Sequence, residues 1–114
     1  MNKEGAEKRS SARYPVKGAT LHYKKGKTCL VVNISRGGIC FLSQEPLKVN
    51  SSITMNITFP EESPALILKG QVCWCLPGLG HSDEYQVGIR FLPFENKRGS
   101  NPPRLLDRII KLET

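Results

Sequence analysis

Two arginines near the amino terminus have a spacing that suits the binding of one anionic or planar ligand. Arg9 and Arg13 are separated by three residues, so a turn-like conformation would let both guanidinium groups converge on the same molecule. A guanidinium presents a planar fork of N–H donors that matches phosphate oxygens and also the O6/N7 edge of guanine. Arginines in a basic tail are often simply solvated, so the spacing alone leaves both interpretations open.

A second polar group interrupts the apolar, β-branched segment VVNISRGGICF at residues 31–41. Because side chains alternate between the two faces of a strand, Asn33 and Ser35 are expected to point outward together. Their side chains would lie about 7 Å apart, which suits two contacts with one planar ligand. The residues expected to point into the core are Leu30, Val32 and Ile34.

The same segment contains two adjacent glycines, Gly37 and Gly38. Glycine allows a positive φ and lets another group approach the backbone closely, so the pair would suit a ligand that lies against the chain. A strand that simply ends in a turn, with Ser35 capping it, explains the same residues. The local pattern alone favours that simpler interpretation.

Six short strands and no helix are expected between Val16 and Phe91, with turn signals at fairly even spacing. This pattern predicts an all-β antiparallel barrel or sandwich. In the fifth strand, Val72, Trp74 and Leu76 are expected to share the core face, so Trp74 is interpreted as a core residue and not as a stacking platform. The expected strands are residues 16–23, 28–35, 38–43, 52–59, 65–76 and 85–91.

The two ends of the chain differ from this β pattern. Residues 1–12 have no apolar periodicity and are expected to form a flexible basic arm, which leaves 13–114 for the barrel and its helix. The carboxyl-terminal NPPRLLDRIIKLE predicts a short amphipathic helix over 102–112 that covers part of the barrel. Asn101 is a natural N-cap for it, and Pro102 suits the first helical position.

The length, the net charge and the hydrophobic pattern of the chain limit the kinds of partner and the cellular compartment that are expected. The chain has 114 residues and a formal net charge of +7, which suits one domain that binds an anionic partner. It contains no secretory signal pattern and no apolar run long enough to span a membrane, so a cytoplasmic location is expected. Without export, the four cysteines are expected to stay reduced.

Other chemistries have weaker support in the sequence. Cys73 and Cys75 are separated by one residue, not by the two of common zinc sites, so no metal is expected. No nucleophile–base pair is suggested by spacing, and an enzyme is not expected. The basic turn at residues 24–27 suits a nucleic acid, but exposed aromatic residues are scarce, and no nucleic-acid partner is expected.

The arginine pair is followed, about 20 residues later, by the Asn-x-Ser-x-x-Gly segment. The two motifs in this order resemble the PilZ domain, the bacterial receptor module for cyclic di-GMP. The similarity continues in YPV at 14–16 and in YQVGIRF at 85–91, and it extends over roughly residues 8–112. The positions that match the two motifs are Arg9, Arg13, Asn33, Ser35 and Gly38.

The resemblance implies a six-stranded antiparallel barrel that binds cyclic di-GMP on its outer face. In such domains the arginine arm folds over the dinucleotide, and the Asn/Asp-x-Ser-x-x-Gly strand contacts a guanine. Asn33 stands where many members carry Asp, and a neutral amide gives up charge-assisted hydrogen bonds. The residue before the first arginine, here Lys8, influences whether one or two nucleotides bind. Lys8 and Gly37 complete the expected ligand-binding set.

Two functions follow from this resemblance. The first is a cytoplasmic cyclic di-GMP receptor of motility or biofilm signalling, which orders its arginine arm on binding and is read by a downstream protein effector. The alternative is a PilZ-like adaptor that binds no nucleotide and acts by protein contact in type IV pilus or motility machinery. The intact motifs favour the receptor, and the sequence specifies no oligomeric state.

Overall fold

A computed structural model of the chain describes residues 14–15, 18–24, 27–60, 62–78 and 84–112. These residues form seven strands and one helix, and every strand pairing is antiparallel. The strands are β1 (Tyr14–Pro15), β2 (Thr20–Lys24), β3 (Lys27–Ile34), β4 (Gly38–Ser43), β5 (Ser52–Phe59), β6 (Glu62–Pro77) and β7 (Tyr85–Phe91), and the helix is α1 (Pro103–Lys111).

The six longer strands close into a barrel. Their order is β3-β2-β5-β6-β7-β4, and β4 pairs in turn with β3, so the sheet returns to its first strand. The two-residue β1 lies beside the end of β3, where Tyr14 pairs with Ile34 and Pro15 with Asn33. The predicted six-stranded antiparallel barrel with a short carboxyl-terminal helix is therefore confirmed.

The core follows from strict alternation in β5. Met55, Ile57 and Phe59 are buried while the residues between them are exposed, which is the expected pattern for a strand with one face against a core. Leu66 and Leu68 of β6 continue the same core across the neighbouring strand. Burial of these side chains, worth about 1.5–3 kcal/mol each, holds the barrel closed.

A β-bulge in β3 corrects the faces predicted for that strand. Val31 pairs with Phe41 and Asn33 with Cys40, so Val32 is an additional residue that resets the alternation. Before the bulge Cys29 and Val31 are buried, whereas Leu30 is 57% exposed. The prediction that Leu30 points inward was wrong, and that for Ile34, which is buried, was right.

A second bulge lies in β6 between Val72, which pairs with Ile89, and Trp74, which pairs with Gly88. Val72 is fully buried, but beyond the bulge Trp74 is only half-buried and Leu76 is 54% exposed. The predicted core face of this strand was therefore right up to Val72 and wrong for Trp74 and Leu76.

Helix α1 begins one residue later and ends one residue earlier than predicted, at Pro103 and Lys111. Its N-cap position is Pro102, without a side-chain cap, so the prediction of Asn101 as N-cap was wrong. Leu105 and Ile109 are the buried residues of the helix and fix it against the barrel. Within the described residues, no helix combines the length and the apolarity that crossing a membrane would need.

Candidate ligand-binding face

The outer face of the barrel brings four residues from four adjacent strands into one line. Asn33 of β3 pairs with Cys40 of β4, Cys40 with Gly88 of β7, and Gly88 with Trp74 of β6. We call these four residues the outer-face row. Because adjacent strands are about 4.8 Å apart, the row spans about 14 Å between the backbones of Asn33 and Trp74. That length suits a ligand with several rings.

The glycine in the row makes room for the indole ring of Trp74. A Cβ atom on Gly88 would overlap Cε2, Nε1 and Cζ2 of that ring, so the indole lies directly over the glycine backbone. Trp74 is half-buried, so part of its side chain is accessible to solvent. Sequence reasoning missed this residue because the bulge at Cys73 is not visible in the apolar pattern. The signal that could have found it is Gly88, since a glycine inside a strand often marks a close approach.

Asn33 and Ser35 differ in exposure and in their partners. Asn33 is half-buried in the outer-face row, but Ser35 is only 4% exposed. The Ser35 Oγ accepts a hydrogen bond from the N–H of Gly37 at 3.2 Å, and the Ser35 N–H donates to the Gly38 carbonyl at 2.8 Å. The low exposure of Ser35 differs from the open position beside Asn33 that its predicted outward direction implied. Ser35 instead stabilises the turn that ends the strand, as the simpler interpretation proposed.

Gly38 permits a close approach, but by the backbone of a neighbouring strand and not by a ligand. A Cβ atom at this position would overlap the carbonyl oxygen of Ile89 and lie 3.4 Å from the Cα of Arg90. Neither Gly38 nor Gly37 has a positive φ, which among the described glycines occurs at Gly18 and Gly99. The positive φ that glycine allows is therefore not adopted at either position. The glycine instead lets β4 pack directly against β7.

Arg90 adds a positive charge next to the row. It pairs with Gly38 on one side and with Gln71 on the other, one outward position along β7 from Gly88. Its Nη2 donates a 2.7 Å hydrogen bond to the Oε1 of Gln71, which is a neutral partner, and the side chain is exposed. An anionic group bound on this face would lie close to a cation that a neutral amide orients.

The arm residues of the predicted site, Lys8, Arg9 and Arg13, lie outside the described residues. The chain that directly follows Arg13 is described, because β1 pairs Tyr14 with Ile34 and Pro15 with Asn33. The carboxyl-terminal end of the arm therefore begins one strand spacing, about 5 Å, from the backbone of Asn33. The residues that directly follow the first motif therefore lie beside the second motif.

The model of the PilZ domain matches residues 7–109 of the sequence. The chain belongs to the PilZ family. Members of this family are regulatory domains that bind cyclic di-GMP. No curated protein matches the chain in sequence.

Two solved PilZ-type structures share the fold. MrkH from K. pneumonia, solved as a complex with c-di-GMP, superposes with a TM-score of 0.69 at 15% identity over 92% of this chain and 50% of that one. The Bacillus subtilis inhibitor of motility (MotI/DgrA) superposes with a TM-score of 0.62 at 20% identity over 92% and 51%. The chain thus spans about half the length of each of these proteins.

The four cysteines are all free thiols in contrasting surroundings. Cys29 and Cys40 are buried, Cys75 is half-buried and Cys73 is exposed. No group of three metal-ligating side chains comes together in the described part of the chain, and His81 lies outside it. Burial, followed by the nearby Glu84 carboxylate, raises the pKa of the Cys29 thiol. The reactive thiolate form of Cys29 is therefore scarcer near neutral pH than that of an ordinary cysteine.

This contrast predicts selective alkylation of the folded protein. Cys73 should react with iodoacetamide at pH 7.5 at the rate of a free thiol, because it is exposed. Cys29 should react only when the barrel unfolds, since it is both shielded and protonated. Peptide mass spectrometry over a time course measures both rates, with a urea-unfolded sample as the control. Equal rates for the two thiols in the native protein would contradict the burial of Cys29.

Proposed function

We propose that this chain is a receptor for cyclic di-GMP, which binds on the outer-face row beneath the arginine arm. The observation that carries the proposal is the pairing of β1 with the end of β3, which begins the arm beside Asn33. It gives a reason for two motifs that are 20 residues apart in sequence to act on one ligand. The family match and the neighbour solved with c-di-GMP support the same ligand.

The row offers different chemistry at its two ends. The Asn33 side chain has both a carbonyl acceptor and an amide donor, which suits hydrogen bonds to the edge of a guanine. At the other end, the half-buried indole of Trp74 would stack on a second ring system, a contact worth about 1–3 kcal/mol per base. Arg90, one outward position along β7 from Gly88, would approach a phosphate. A ligand with two guanines and two phosphates uses all of these groups.

The arm supplies the remaining contacts. Arg9 and Arg13 would each bind phosphate oxygens or the O6/N7 edge of guanine through the planar guanidinium. Ordering the arm costs about 1–2 kcal/mol for each fixed residue, so a gain from charged hydrogen bonds can exceed the cost only for a short segment. We infer that binding folds residues 8–14 over the ligand and leaves the barrel unchanged. A downstream protein effector in the cytoplasm would then recognise the folded arm.

Ser35 is expected to contribute to ligand binding indirectly, by holding the turn that follows Asn33. Ser35 keeps the turn backbone in place, because its Oγ accepts from the Gly37 N–H at 3.2 Å and its hydroxyl donates to the Gly38 carbonyl at 3.5 Å. Asn33 therefore contributes direct contacts, and Ser35 positions the chain beside them. The regulatory role proposed here requires no catalytic group.

A calorimetric titration tests this function. The wild-type protein should bind cyclic di-GMP and show no comparable binding of cyclic AMP, because guanine recognition depends on Asn33 and the arginines. Arg13→Ala should abolish binding, and Asn33→Ala should weaken it about 5- to 100-fold, as expected for a lost side-chain hydrogen-bonding group worth about 1–3 kcal/mol. The fitted stoichiometry shows whether one or two nucleotides bind beside Lys8.

Ser35→Ala separates the two roles within the strand motif. It should lower the free energy of unfolding by about 1 kcal/mol, because the Gly37 N–H loses its acceptor, whereas the main effect of Asn33→Ala should be on ligand affinity. Urea denaturation of both variants measures this difference. Equal binding of cyclic AMP, or full affinity in Asn33→Ala, would contradict the proposed guanine recognition, and the absence of cyclic di-GMP binding would favour an adaptor that acts by protein contact alone.

A further inference from the structure

A groove lies between the first half of β6 and helix α1, away from the outer-face row. Its volume is about 660 Å³. The floor is apolar and includes Ile67, which is 57% exposed although it is a large aliphatic residue on a regular strand. Pro64 and Leu105 complete this floor from the strand and from the helix. An exposed isoleucine in the lining of a groove suits an apolar side chain from outside the barrel.

The rim of this groove is strongly basic. Four cationic side chains line it, and Asp107 is the one acidic residue among the groove residues that the structure describes. Lys69 and Arg104 are exposed, and neither takes part in the ion pairs found in the described residues. The cationic residues are Lys69, Arg104, Arg108 and Lys111. The charge is therefore complementary to an acidic partner.

The backbone of β6 presents an open edge to the same groove. The N–H of Lys69 donates to Asn101 Oδ1 at 2.7 Å, and the carbonyl of Lys69 accepts from the N–H of Leu92 at 3.0 Å. Both partners lie on the side of β6 away from β5. Backbone groups alternate sides along a strand, so the N–H and carbonyl of Ile67, two residues earlier, point to that side too.

No strand occupies that side next to Ile67 in the described residues. The pairing of β6 with β7 runs from Gly70 to Pro77 and stops before Ile67 is reached. Asn101 and Leu92 take the edge at Lys69, which ends the ladder at the mouth of the groove. A short strand edge, an exposed isoleucine and a basic rim thus meet at one place. Strand edges of this kind can accept an extended peptide through main-chain hydrogen bonds.

We propose that this groove binds an extended acidic segment of a partner protein, which adds to the β6 edge at Ile67 and places carboxylates on Lys69 and Arg104. An apolar residue of the segment packs on Ile67. The site is separate from the outer-face row and requires no nucleotide. Helix α1 is nine residues long, or about 14 Å, which corresponds to four or five residues of extended chain.

Amide NMR of the 15N-labelled full chain, without nucleotide, tests the proposal with a defined probe. The probe is a capped six-residue peptide of alternating valine and aspartate. It should produce saturable shifts at Ile67, Lys69 and residues of α1. The affinity of the peptide should fall as salt is added. The same peptide with lysine in place of aspartate should produce none. A third version, N-methylated at alternate backbone positions, should lose the shift at Ile67 because it cannot complete the main-chain hydrogen bonds.

Variants of the rim provide a matched pair. Lys69→Glu with Arg104→Glu should lower the affinity for the acidic peptide about five-fold or more, since two attractive contacts become repulsive. Lys97→Glu with Arg98→Glu makes the same change of charge at two exposed positions that do not line the groove, and it should lower the affinity less than two-fold. Both proteins are checked for folding by their amide spectra.

Three results would overturn the proposal. The first is equal binding of the aspartate and lysine peptides, which would remove the charge complementarity. The second is full affinity of the N-methylated peptide, which would show that the strand edge is not used. The third is protection of the Ile67 amide against hydrogen exchange in the free protein, which would show that the chain itself already covers the edge.

Discussion

Replacing Asn101 with alanine is expected to lower the free energy of unfolding by about 2–4 kcal/mol, although this residue lies outside the strands and the helix. Asn101 has no exposed surface, and its side-chain amide accepts from the Lys69 N–H at 2.7 Å. Its Nδ2 donates to the carbonyls of Lys69 and Leu92, both at 2.9 Å. Alanine leaves the Lys69 N–H and the Leu92 carbonyl without these partners and opens a cavity beside α1.

Urea denaturation followed by circular dichroism measures this loss. Asn96→Ala is the matched control, because Asn96 is exposed in the segment that precedes α1 and should change stability by less than about 0.5 kcal/mol. A loss below 1 kcal/mol for Asn101→Ala would show that the three hydrogen bonds do not hold the helix to the barrel.

Replacing Gly38 with alanine is expected to lower the free energy of unfolding by about 2–3 kcal/mol, because the added methyl group meets backbone and not a flexible side chain. It would overlap the carbonyl oxygen of Ile89, and its next neighbours are the Ile89 carbonyl carbon at 3.2 Å and the Arg90 Cα at 3.4 Å. Relief requires β4 to move away from β7, which also disturbs the turn that Ser35 closes. Cyclic di-GMP binding should therefore fall in parallel with stability.

Gly37→Ala serves as the comparison for this variant. Gly37 is exposed and its φ is not positive, so alanine should be tolerated within about 0.5–1 kcal/mol. Thermal unfolding of the two variants under identical conditions gives the difference. Similar melting temperatures would contradict the close packing of β4 on β7 at Gly38.

The barrel could be predicted from the sequence because its strands are separated by clear turn signals. The bounds of β4, β5 and β7 agree with those predicted, since each of these strands alternates or ends at a polar residue. Which side chains of β3 and β6 point to the core could not be predicted along the whole of these strands. A bulge inserts one residue and reverses the faces. Val32 continues an apolar run from Leu30, and Cys73 lies between Val72 and Trp74, so the sequence pattern does not mark either residue as the inserted one.

The role of Asn101 shows a different limit of sequence reasoning. A local rule assigns an asparagine before a proline to the N-cap, but the side chain finds its partners in β6 and after β7, 32 and 9 residues away. Hydrogen-bond partners this distant in sequence are determined by the fold and leave no local signal. Asn33, by contrast, could be placed on the outer face because the rule of alternation applies on its own side of the bulge.

The most direct test of the central claim is an amide NMR spectrum of the labelled protein with and without cyclic di-GMP. The ligand should shift the amides of Asn33, Gly38 and Gly88 and the indole N–H of Trp74, and it should make residues 8–14 rigid on the nanosecond timescale. The amides of α1 should not change. Absence of shifts at the outer-face row, or residues 8–14 that have the same mobility with and without ligand, would contradict the account.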